Sequence, residues 1–481
     1  MLIPKEVKFV IEQLKKKGFE AYIVGGCVRD FLRGIEPEDW DVTTSAKPEE
    51  IRKTFPKSFY ENKFLTVTVQ TKSKNSRLKE IEITTFRKEA KYTDKRHPDQ
   101  ISFAKSIKED LARRDFTVNS IALEFPNIID PFGGQKDLKN KIIRAVGNPD
   151  DRFNEDALRM LRAVRFSATL GFEIETGTAK AIKNNAAWLQ AISKERIRDE
   201  LMKIIMSERA VEGLELLREL RLLKHIIPEL EEGYGVSQNK HHIYDCYEHS
   251  LKSLDYAAKK KFNKYVRLSA LLHDIAKPRA KRGKGSDATF YSHEILGRKM
   301  TIQILNRLRF SKKEIEKIAK LVRYHLFYYN VGEVSESSVR RLVRQVGPEN
   351  MEELLEVRMA DRIGSGVPKA EPYKLRHLKY IIEKVSRDPV SVKMLKVSGK
   401  DVMEIATIHP GPKIGQILDV LLGYVLSDPK KNKKEFLEKE IKKLGKLTEK
   451  ELQKLSQKAR AEREKIETKT DEMTKKKYWV T

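Results

Sequence analysis

The sequence contains very few cysteines. Only two of its 481 residues are cysteine, Cys27 and Cys246. Two cysteines exclude a framework of several disulfides, and they exclude a metal site built from paired CxxC motifs. We therefore expect a protein of a reducing compartment that is stabilised by packing rather than by cross-links.

Long apolar stretches are missing as well. No window approaches the roughly 20 apolar residues that a membrane-spanning helix needs. The first 26 residues carry charges throughout, which is not the pattern of a signal peptide. These features predict a cytoplasmic protein without a membrane partner.

Acidic residues are the minority among the charged residues. Lys and Arg together number 97 against 70 for Asp and Glu, which gives a net charge of +27. Such an excess predicts a polyanionic partner, and nucleic acid comes before an anionic membrane surface. A lysine-rich proteome or the charged surface of a thermophilic protein would also produce this composition.

The periodicity of apolar residues changes along the chain. Residues 4–17 predict an amphipathic helix, and the segment "AYIVGG" predicts a buried strand that ends in a glycine turn. The alternating segments "TVTVQT" and "EIEITTF" predict half-buried strands. Beyond about residue 150 helical periodicity dominates, and the Lys/Glu-rich final fifty residues predict a solvated helix with a frayed end.

Two aspartates in the segment "EPEDWDVTTSA" suggest a metal site. On a strand, Asp39 and Asp41 would present both carboxylates on one face, and a cation such as Mg²⁺ would relieve their repulsion. A solvated acidic turn would have the same sequence. The preceding "IVGGCVRD" favours the metal site, because Gly25 and Gly26 let the backbone approach a phosphate and Arg29 offers a guanidinium to it.

This combination resembles the nucleotidyltransferase superfamily typified by DNA polymerase beta. Four further motifs follow in order: "RRDFTVNSIAL" (113–123), "DPFGGQKDLKNKIIRAVGNP" (130–149), "RFNEDALRMLRAVRFSATLGF" (152–172) and "KERIRDEL" (194–201). Together they resemble the bacterial class II CCA-adding enzymes and their relatives, the A-adding enzymes, the CC-adding enzymes and the bacterial poly(A) polymerases. The resemblance is dense to about residue 230 and thinner to about residue 445.

The resemblance implies a two-metal catalytic site in the head. Asp39 and Asp41 would carry two Mg²⁺ ions, one lowering the pKa of an RNA 3′-hydroxyl and the other neutralising the triphosphate as pyrophosphate leaves. Glu82 is either a third metal-binding carboxylate or an outward-facing strand residue.

Basic residues of the same motifs would hold the triphosphate. Gly25, Gly26 and Arg29 would bind it, and Arg113 and Arg114 would add phosphate contacts. Alternatively, one of these last two arginines forms a structural ion pair with Asp115 or Asp30.

The "EDALR" segment suggests how a base could be selected without a template. Asp156 and Arg159 are three residues apart and would share a face of one helix, where an ordinary ion pair is the plain alternative. Cytosine and adenine both present an amino donor beside a ring-nitrogen acceptor, which suits a carboxylate and a guanidinium. Guanine and uracil reverse that order and leave buried polar groups unpaired. EDxxR is the family's motif for selecting CTP and ATP, and Arg162 and Arg165 are further nucleotide-binding candidates.

The segment "KEAKYTDKRHPDQISF" predicts a mobile loop. In the resembling family a loop here accompanies addition of the terminal A, and relatives that add only CC have lost it. This chain keeps the full-length loop, whose polar and rigid residues are Tyr92, Asp94, Arg96, His97 and Pro98. The loop argues against a CC-only enzyme but does not separate a CCA-adding enzyme from an A-adding one.

Several of the ten histidines follow one order, H…HD…H…H…D. A lone histidine on a helix is usually structural, but imidazoles and carboxylates together suit Mn, Fe, Ni, Co or Mg. The order resembles the HD phosphohydrolase superfamily, which cleaves phosphate esters with metal-activated water. The implied ligands are His249, His273, Asp274, His293, His325 and Asp361.

The sequence therefore predicts an α+β protein with a polymerase-beta-like head and helical domains after it. We expect a head at 1–148, a neck for base selection and RNA binding at 149–230, an HD domain at 231–368 and a tRNA-binding tail with a charged extension at 369–481. The predicted function is CCA addition to tRNA 3′ ends from CTP and ATP. The alternatives are an A-adding enzyme, a bacterial poly(A) polymerase, an HD phosphohydrolase with a nucleotide-sensing head, or a degenerate RNA-binding protein.

Overall fold

The chain divides into two compact units. A computed structural model describes residues 2–61, 66–90, 100–238, 243–283, 285–386 and 392–480. The first unit contains Met1–Leu326 and Glu352–Pro368, and the second contains Phe327–Met351 and Lys369–Thr481. In the described ranges, no helix combines the length and the apolar character that crossing a membrane requires.

The first 143 residues of the first unit form the mixed α/β part, here called the head. Its elements are α1 (Lys5–Lys16), β1 (Ala21–Val24), α2 (Gly26–Leu32), β2 (Asp41–Thr44), α3 (Pro48–Thr54), β3 (Ser58–Glu61), β4 (Thr66–Gln70), β5 (Glu80–Thr85), β6 (Arg87–Ala90), β7 (Gln100–Phe103), α4 (Ile107–Ala112), β8 (Ala122–Glu124), β9 (Asn127–Ile129), α5 (Gly134–Asn140) and β10 (Ile142–Ile143). The predicted first helix and the three predicted strands are confirmed.

One seven-stranded sheet organises the head, in the order β3-β4-β5-β2-β1-β8-β9. Only the central pair β2 and β5 is parallel, and this pairing places Asp41 directly beside Glu82. Alternate residues such as Val42 and Ile83 face the opposite side and join the apolar core together with α1. The sheet therefore buries one face and presents carboxylates on the other.

Helices follow the head in the rest of the first unit. The elements are α6 (Pro149–Glu155), α7 (Leu158–Leu170), β11 (Glu173–Ile174), α8 (Thr176–Asn185), α9 (Lys194–Met206), α10 (Ala210–Glu219), α11 (Pro228–Glu231), α12 (Cys246–Lys259), α13 (Lys264–Leu272), α14 (Lys277–Ala280), α15 (His293–Arg307) and α16 (Lys312–Tyr324). One continuous apolar cluster extends from Phe116 to Val322 and packs these helices together.

The second unit begins with α17 (Glu336–Val346), and α18 (Met351–Gly364) returns the chain to the first unit. The later helices are α19 (Tyr373–Ser386), α20 (Gly399–Ala406), α21 (Pro412–Ser427), α22 (Lys434–Gly445) and α23 (Glu449–Lys477). Helices α20, α21 and α22 have their own apolar core.

The end of the chain is more ordered than the sequence predicts. Helix α23 buries Leu452 and Ser456, and Arg460 forms an ion pair with Asp419 of α21 at 2.7 Å. Tyr380 of α19 also donates a hydrogen bond to Asp471 at 2.5 Å. The prediction of a frayed tail was wrong, because a few apolar and polar contacts along α23 hold this helix against α19 and α21.

The segment after β5 also differs from the prediction. Arg87–Ala90 and Gln100–Phe103 pair as an antiparallel hairpin, so part of the predicted loop is strand. The loop residues Tyr92, Asp94, Arg96, His97 and Pro98 lie outside the described residues.

The close contact at Gly134 predicts a position that tolerates no side chain. A Cβ there would lie 2.2 Å from the Thr117 carbonyl oxygen and 2.7 Å from Ile121 Cγ1. We expect Gly134→Ala to destabilise the protein by about 1–3 kcal/mol through overpacking, as measured by calorimetric unfolding of the full chain.

Gly297→Ala is the matched control. Its Cβ would meet its neighbours at 3.5 Å or more, which is ordinary contact. In the middle of a helix alanine is favoured over glycine by roughly 1 kcal/mol, so this variant should be as stable as the wild type or more stable. Equal unfolding temperatures for Gly134→Ala and the wild type would contradict the packing of α5 described here.

Candidate active site and candidate metal centre

The carboxylate face of the central strands forms one wall of a cleft of about 360 Å³. Its charged lining residues are Asp41, Glu82, Arg87, Arg113 and Arg114, and threonines of β4 and β5 complete it. Carboxylates and guanidiniums thus meet in one open space, which suits a metal-bound polyphosphate.

Asp39 is not on the strand. It lies in an exposed bend, and β2 begins only at Asp41. The intervening Trp40 is 4% exposed and packs edge-on against Phe31 with ring centroids 6.4 Å apart. The prediction that Asp39 lies on the strand was therefore wrong. The buried Trp40 still holds the backbone of Asp39 and Asp41 on either side of it in place.

The electrostatics of Asp41 fit a cation site. Burial raises the pKa of Asp41 to about 6, the negative charges of Asp39 and Glu82 add to the rise, and Arg114 opposes it. A carboxylate group that is costly to ionise in its surroundings gains when a divalent cation enters. The residues present therefore fit a metal in the head.

Gly25 leaves the space between Arg114 and Asp41 open. Its φ angle is +85°, and a Cβ there would lie 2.9 Å from Arg114 Nη1 and 3.6 Å from Asp41 Oδ2. Only glycine adopts this conformation readily. The next residue, Gly26, begins α2 beside it.

Arg29 is placed elsewhere. Its guanidinium is buried and donates to both carboxylate oxygens of Asp30, at 2.9 and 2.7 Å, and to Asn119 Oδ1 at 2.8 Å. It is not among the described residues that line the cleft. These bonds tie α2 to the segment after Asp115, and a triphosphate contact for Arg29 stays a prediction.

Arg113 and Arg114 reach the cleft with the same carboxylate behind them. Arg113 donates to Asp110 Oδ1 at 3.0 and 2.9 Å, and Arg114 lies 3.5 Å from Asp110 Oδ2. The predicted alternative partners, Asp115 and Asp30, were wrong, because the fully buried Asp110 lies one turn before both arginines on α4. Asp110 thus holds both guanidiniums at the wall of the cleft, where a phosphate could contact them.

Asp115 connects the head to α7. It accepts from Arg162 Nε at 2.7 Å and from Asn119 at 3.2 Å. Burial alone would raise the pKa of Asp115, but Arg162 and Arg159 hold it at about 2. Arg162 is thereby fixed as a structural cation, and a nucleotide contact for it stays a prediction.

Arg165 has a similar structural setting. Its guanidinium lies 3.8 Å from the centre of the Phe166 ring and 2.6 Å from a Glu200 oxygen. A role for Arg165 in nucleotide binding stays a prediction.

The EDALR segment does not form one helix. Helix α6 ends at Glu155, Asp156 adopts an extended conformation as its C-cap, and α7 begins at Leu158. Asp156 pairs with Arg196 at 2.7 Å, whereas Arg159 pairs with Glu155 at 2.6 Å. The prediction that Asp156 and Arg159 share a face of one helix was wrong, because the extended residue Asp156 lies between α6 and α7.

Arg159 also links this segment to the cleft. Its Nη2 donates to the backbone carbonyl of Arg113 at 2.9 Å. The base-reading candidates and the phosphate-binding candidates are therefore joined by a direct hydrogen bond.

Sequence reasoning missed Arg196. It lies in the "KERIRDEL" motif, from which no role was predicted for this residue. Its two contacts to Asp156, at 2.7 and 3.4 Å, orient the carboxylate from α9. The available signal was the motif itself, since no local pattern indicates a partner 40 residues away.

The six residues of the H…HD…H…H…D order converge in the first unit, where they form what we call the HD cluster. One group is His249, His273, Asp274 and Asp361, and a second is Asp274, His293 and His325. All six are buried, and Asp274 belongs to both groups. These are candidate metal-binding groups, brought together from α12, α15, α18 and the ends of α13 and α16.

Hydrogen bonds aim the imidazoles into the cluster. The Nδ1 atoms of His273, His293 and His325 lie 2.7–2.8 Å from backbone carbonyls, which leaves each Nε2 for the cluster. The Nε2 atoms of His249 and His273 are 2.9 Å apart, so one must carry a proton or both must face a cation. This donor set fits a divalent metal.

Three family models match the chain in order. They are the poly A polymerase head domain at residues 21–144, the probable RNA and SrmB-binding site of polymerase A at 171–233, and the HD domain at 246–365. Their order agrees with the cleft, the neck helices and the HD cluster.

Individual relatives extend the comparison over nearly the whole chain. A curated CCA-adding enzyme of Ligilactobacillus salivarius is 34% identical over 459 residues, which cover 91% of this chain and 99% of that protein. The crystal structure of the Bacillus stearothermophilus CCA-adding enzyme in complex with CTP shares 28% identity at a TM-score of 0.59, covering 91% of this chain and 97% of that one.

A third comparison concerns the fold alone. The Thermotoga maritima CCA-adding enzyme complexed with tRNA_CCA is 21% identical at a TM-score of 0.51, and it covers 92% of this chain and 96% of that one. The near-complete match to the curated relative, at 34% identity, shows that the chain belongs to the family of CCA-adding enzymes.

Proposed function

We infer that this protein adds CCA to tRNA 3′ ends from CTP and ATP. The observation that carries the inference is the hydrogen bond from Arg159 to the Arg113 backbone, which joins a base-reading segment to a carboxylate and arginine cleft. Its partners are the tRNA 3′ end and the two nucleotides, and the excess of basic residues suits the RNA backbone.

We propose that Asp39, Asp41 and Glu82 hold Mg²⁺ in the cleft. When bound, the metal activates the RNA 3′-hydroxyl and neutralises the triphosphate in an in-line displacement. Arg113 and Arg114 bind the phosphates, and the bare backbone of Gly25 lets the triphosphate approach the carboxylates. Asp110 behind the two arginines keeps their guanidiniums pointed at the cleft.

Base selection is assigned to Asp156 and Arg159. The Asp156 carboxylate accepts from the amino group that cytosine and adenine share, and the Arg159 guanidinium donates to the neighbouring ring nitrogen. Arg196 supports the carboxylate from α9, and Glu155 supports the guanidinium. Both side chains are thus held in place before the nucleotide arrives.

The HD cluster favours a second activity. We propose that it binds a divalent transition metal or Mg²⁺ and hydrolyses phosphate esters, because buried imidazoles and carboxylates converge beside an open cleft of about 350 Å³. Metal bound there supplies an activated water.

The domain boundaries and the location of the protein belong to the same proposal. We propose a head at 1–148, a neck at 149–230, an HD domain at 231–368 and a tRNA-gripping tail at 369–481. A cytoplasmic location is supported by two free, buried cysteines and by substrates that are cytoplasmic.

Removal of the charge of Asp41 should abolish nucleotide addition. We expect Asp41→Asn to lower kcat by about 10³-fold or more, since a bound metal contributes several kcal/mol to the transition state. The assay supplies Mg²⁺, CTP and ATP to tRNA that ends at the discriminator base.

The control is Glu38→Gln, which removes an exposed charge three residues earlier and should leave the rate unchanged. Wild-type protein should add C, C and A to tRNA that ends at the discriminator base and A alone to tRNA that ends in CC. It should add nothing to tRNA that already ends in CCA. A long A tail would indicate a poly(A) polymerase, and addition to CC ends alone would indicate an A-adding enzyme. An active Asp41→Asn variant would contradict the proposal that Asp41 binds the metal.

Loss of the Arg196 support should relax base choice. We expect Arg196→Gln to lower kcat/KM for CTP and ATP by about tenfold or more and to raise the share of UTP incorporation, because the Asp156 carboxylate is no longer oriented. Arg198→Gln, two residues along α9, is the matched control and should keep wild-type selectivity. Parallel losses for all four nucleotides would show that Arg196 is merely structural.

Disruption of the HD cluster should separate the two activities. We expect His273→Ala to lose metal-dependent release of phosphate from an RNA end that carries a terminal phosphomonoester while CCA addition continues at the wild-type rate. His409→Ala, which changes an exposed histidine of the second unit, should keep both activities. Unchanged phosphate release in His273→Ala would assign that activity to another site.

A further inference from the structure

The open face of the head sheet carries an exposed aromatic side chain. Phe59 of β3 is 61% exposed, although phenylalanine is among the residues that most often pack inside a protein. The next residue, Tyr60, packs against the apolar core on the other face of the sheet. Because side chains alternate along a strand, Phe59 stands on the face that presents the carboxylates.

The register of the strands places Phe59 in line with the proposed metal site. Phe59 pairs with Thr68 of β4, and Thr68 pairs with Glu82 of β5. Glu82 in turn pairs with Asp41 of β2. Directly paired residues present their side chains on the same face of a sheet. One row of side chains therefore crosses four strands, from an aromatic ring on the edge strand to the carboxylates at the centre.

The spacing of this row suits one nucleotide. Neighbouring strands lie about 4.8 Å apart, so Phe59 is about 10 Å from Glu82 along the row. An RNA end with its 3′-hydroxyl at the carboxylates would have its ribose near Thr68 and its base near Phe59. Thr68 lines the cleft, and its hydroxyl can share a hydrogen bond with the 2′-hydroxyl that distinguishes RNA from DNA.

The base beside Phe59 would belong to the RNA rather than to the incoming nucleotide. Two bases meet in the proposed reaction, and the base of the incoming nucleotide is assigned to Asp156 and Arg159. Arg159 contacts the backbone of Arg113, at the end of α4, whereas Phe59 lies on the edge strand of the sheet. Proteins commonly hold single-stranded RNA ends by stacking their bases on aromatic side chains, which suits any base.

We propose that Phe59 is a stacking platform for the 3′-terminal base of the RNA that is extended, with Thr68 in contact with the ribose of the same nucleotide. The platform orients the 3′-hydroxyl toward the carboxylates of the cleft. The inference rests on the proposed nucleotide addition, and it adds a binding site for the last nucleotide of the RNA.

Addition of a single A to tRNA that ends in CC tests this contact. The full chain receives Mg²⁺ and saturating ATP, and kcat/KM is measured for the tRNA. We expect Phe59→Ala to lower this value about tenfold, because the terminal base loses its stacking partner. Phe59→Tyr keeps the ring and should retain the wild-type value. The KM for ATP at saturating tRNA should be unchanged in both variants.

A tRNA whose terminal C lacks its base shows whether the ring acts on that base. We expect the wild type and Phe59→Ala to extend this substrate with equal kcat/KM, because the group that the ring contacts is missing. A tRNA that lacks the base of the preceding C is the matched substrate, on which the tenfold difference should persist.

Phe9→Ala is the matched control variant. It removes a ring that is 54% exposed on α1, a helix that packs on the core side of the sheet, and it should keep the wild-type kcat/KM for tRNA. Equal unfolding temperatures of the wild type and Phe59→Ala show that the exposed ring is not needed for folding.

Three results would overturn the inference while nucleotide addition stands. The first is an unchanged kcat/KM of Phe59→Ala on ordinary tRNA. The second is an equal loss in this variant with and without the terminal base, which would make Phe59 a structural residue. The third is a difference that disappears only when the preceding base is missing. Wild-type protein that adds no A would instead reject the proposed function, and this inference with it.

Discussion

The ion pair between Asp115 and Arg162 is the constraint on which the first site depends. A carboxylate buried at this point would resist ionisation, and the guanidiniums of Arg162 and Arg159, together with a hydrogen bond from Asn119, keep it charged. The pair keeps a narrow geometry, because the loss of Arg162 would leave the buried Asp115 charge without its main partner. Since Arg113 and Arg114 directly precede Asp115, the phosphate-binding side of the cleft is fixed relative to α7 and its base-reading arginine.

Three carboxylates of the head, Asp41, Asp110 and Asp115, fall into two kinds by their surroundings. Asp115 and Asp110 face arginines, and the pKa of each is held below its usual range against the cost of burial. Burial raises the pKa of Asp41 instead, and the neighbouring carboxylates of Asp39 and Glu82 add to the rise. The protein itself thus neutralises Asp110 and Asp115, whereas Asp41 would be stabilised by an external cation.

One apolar core connects the base-reading segment to the HD cluster. The apolar cluster from Phe116 to Val322 runs through helices α7 to α10 and into the helices that carry the histidines. Side chains such as Leu201 and Leu271 are fully buried in it. The base-reading segment and the HD cluster therefore stand on elements whose positions depend on the same packing, whereas Asp41 and Glu82 stand on the sheet, which has a separate core.

The sequence by itself determined the elements and the ligand types. The helix at Lys5–Lys16, the strands at Thr66–Gln70 and Glu80–Thr85 and the order of histidines follow from local periodicity and motifs. Only the tertiary structure decided that Asp39 precedes the strand and that Arg196 supports Asp156. The physical reason is that periodicity depends on near neighbours in the chain, whereas an ion pair forms with whichever carboxylate the fold brings within about 3 Å.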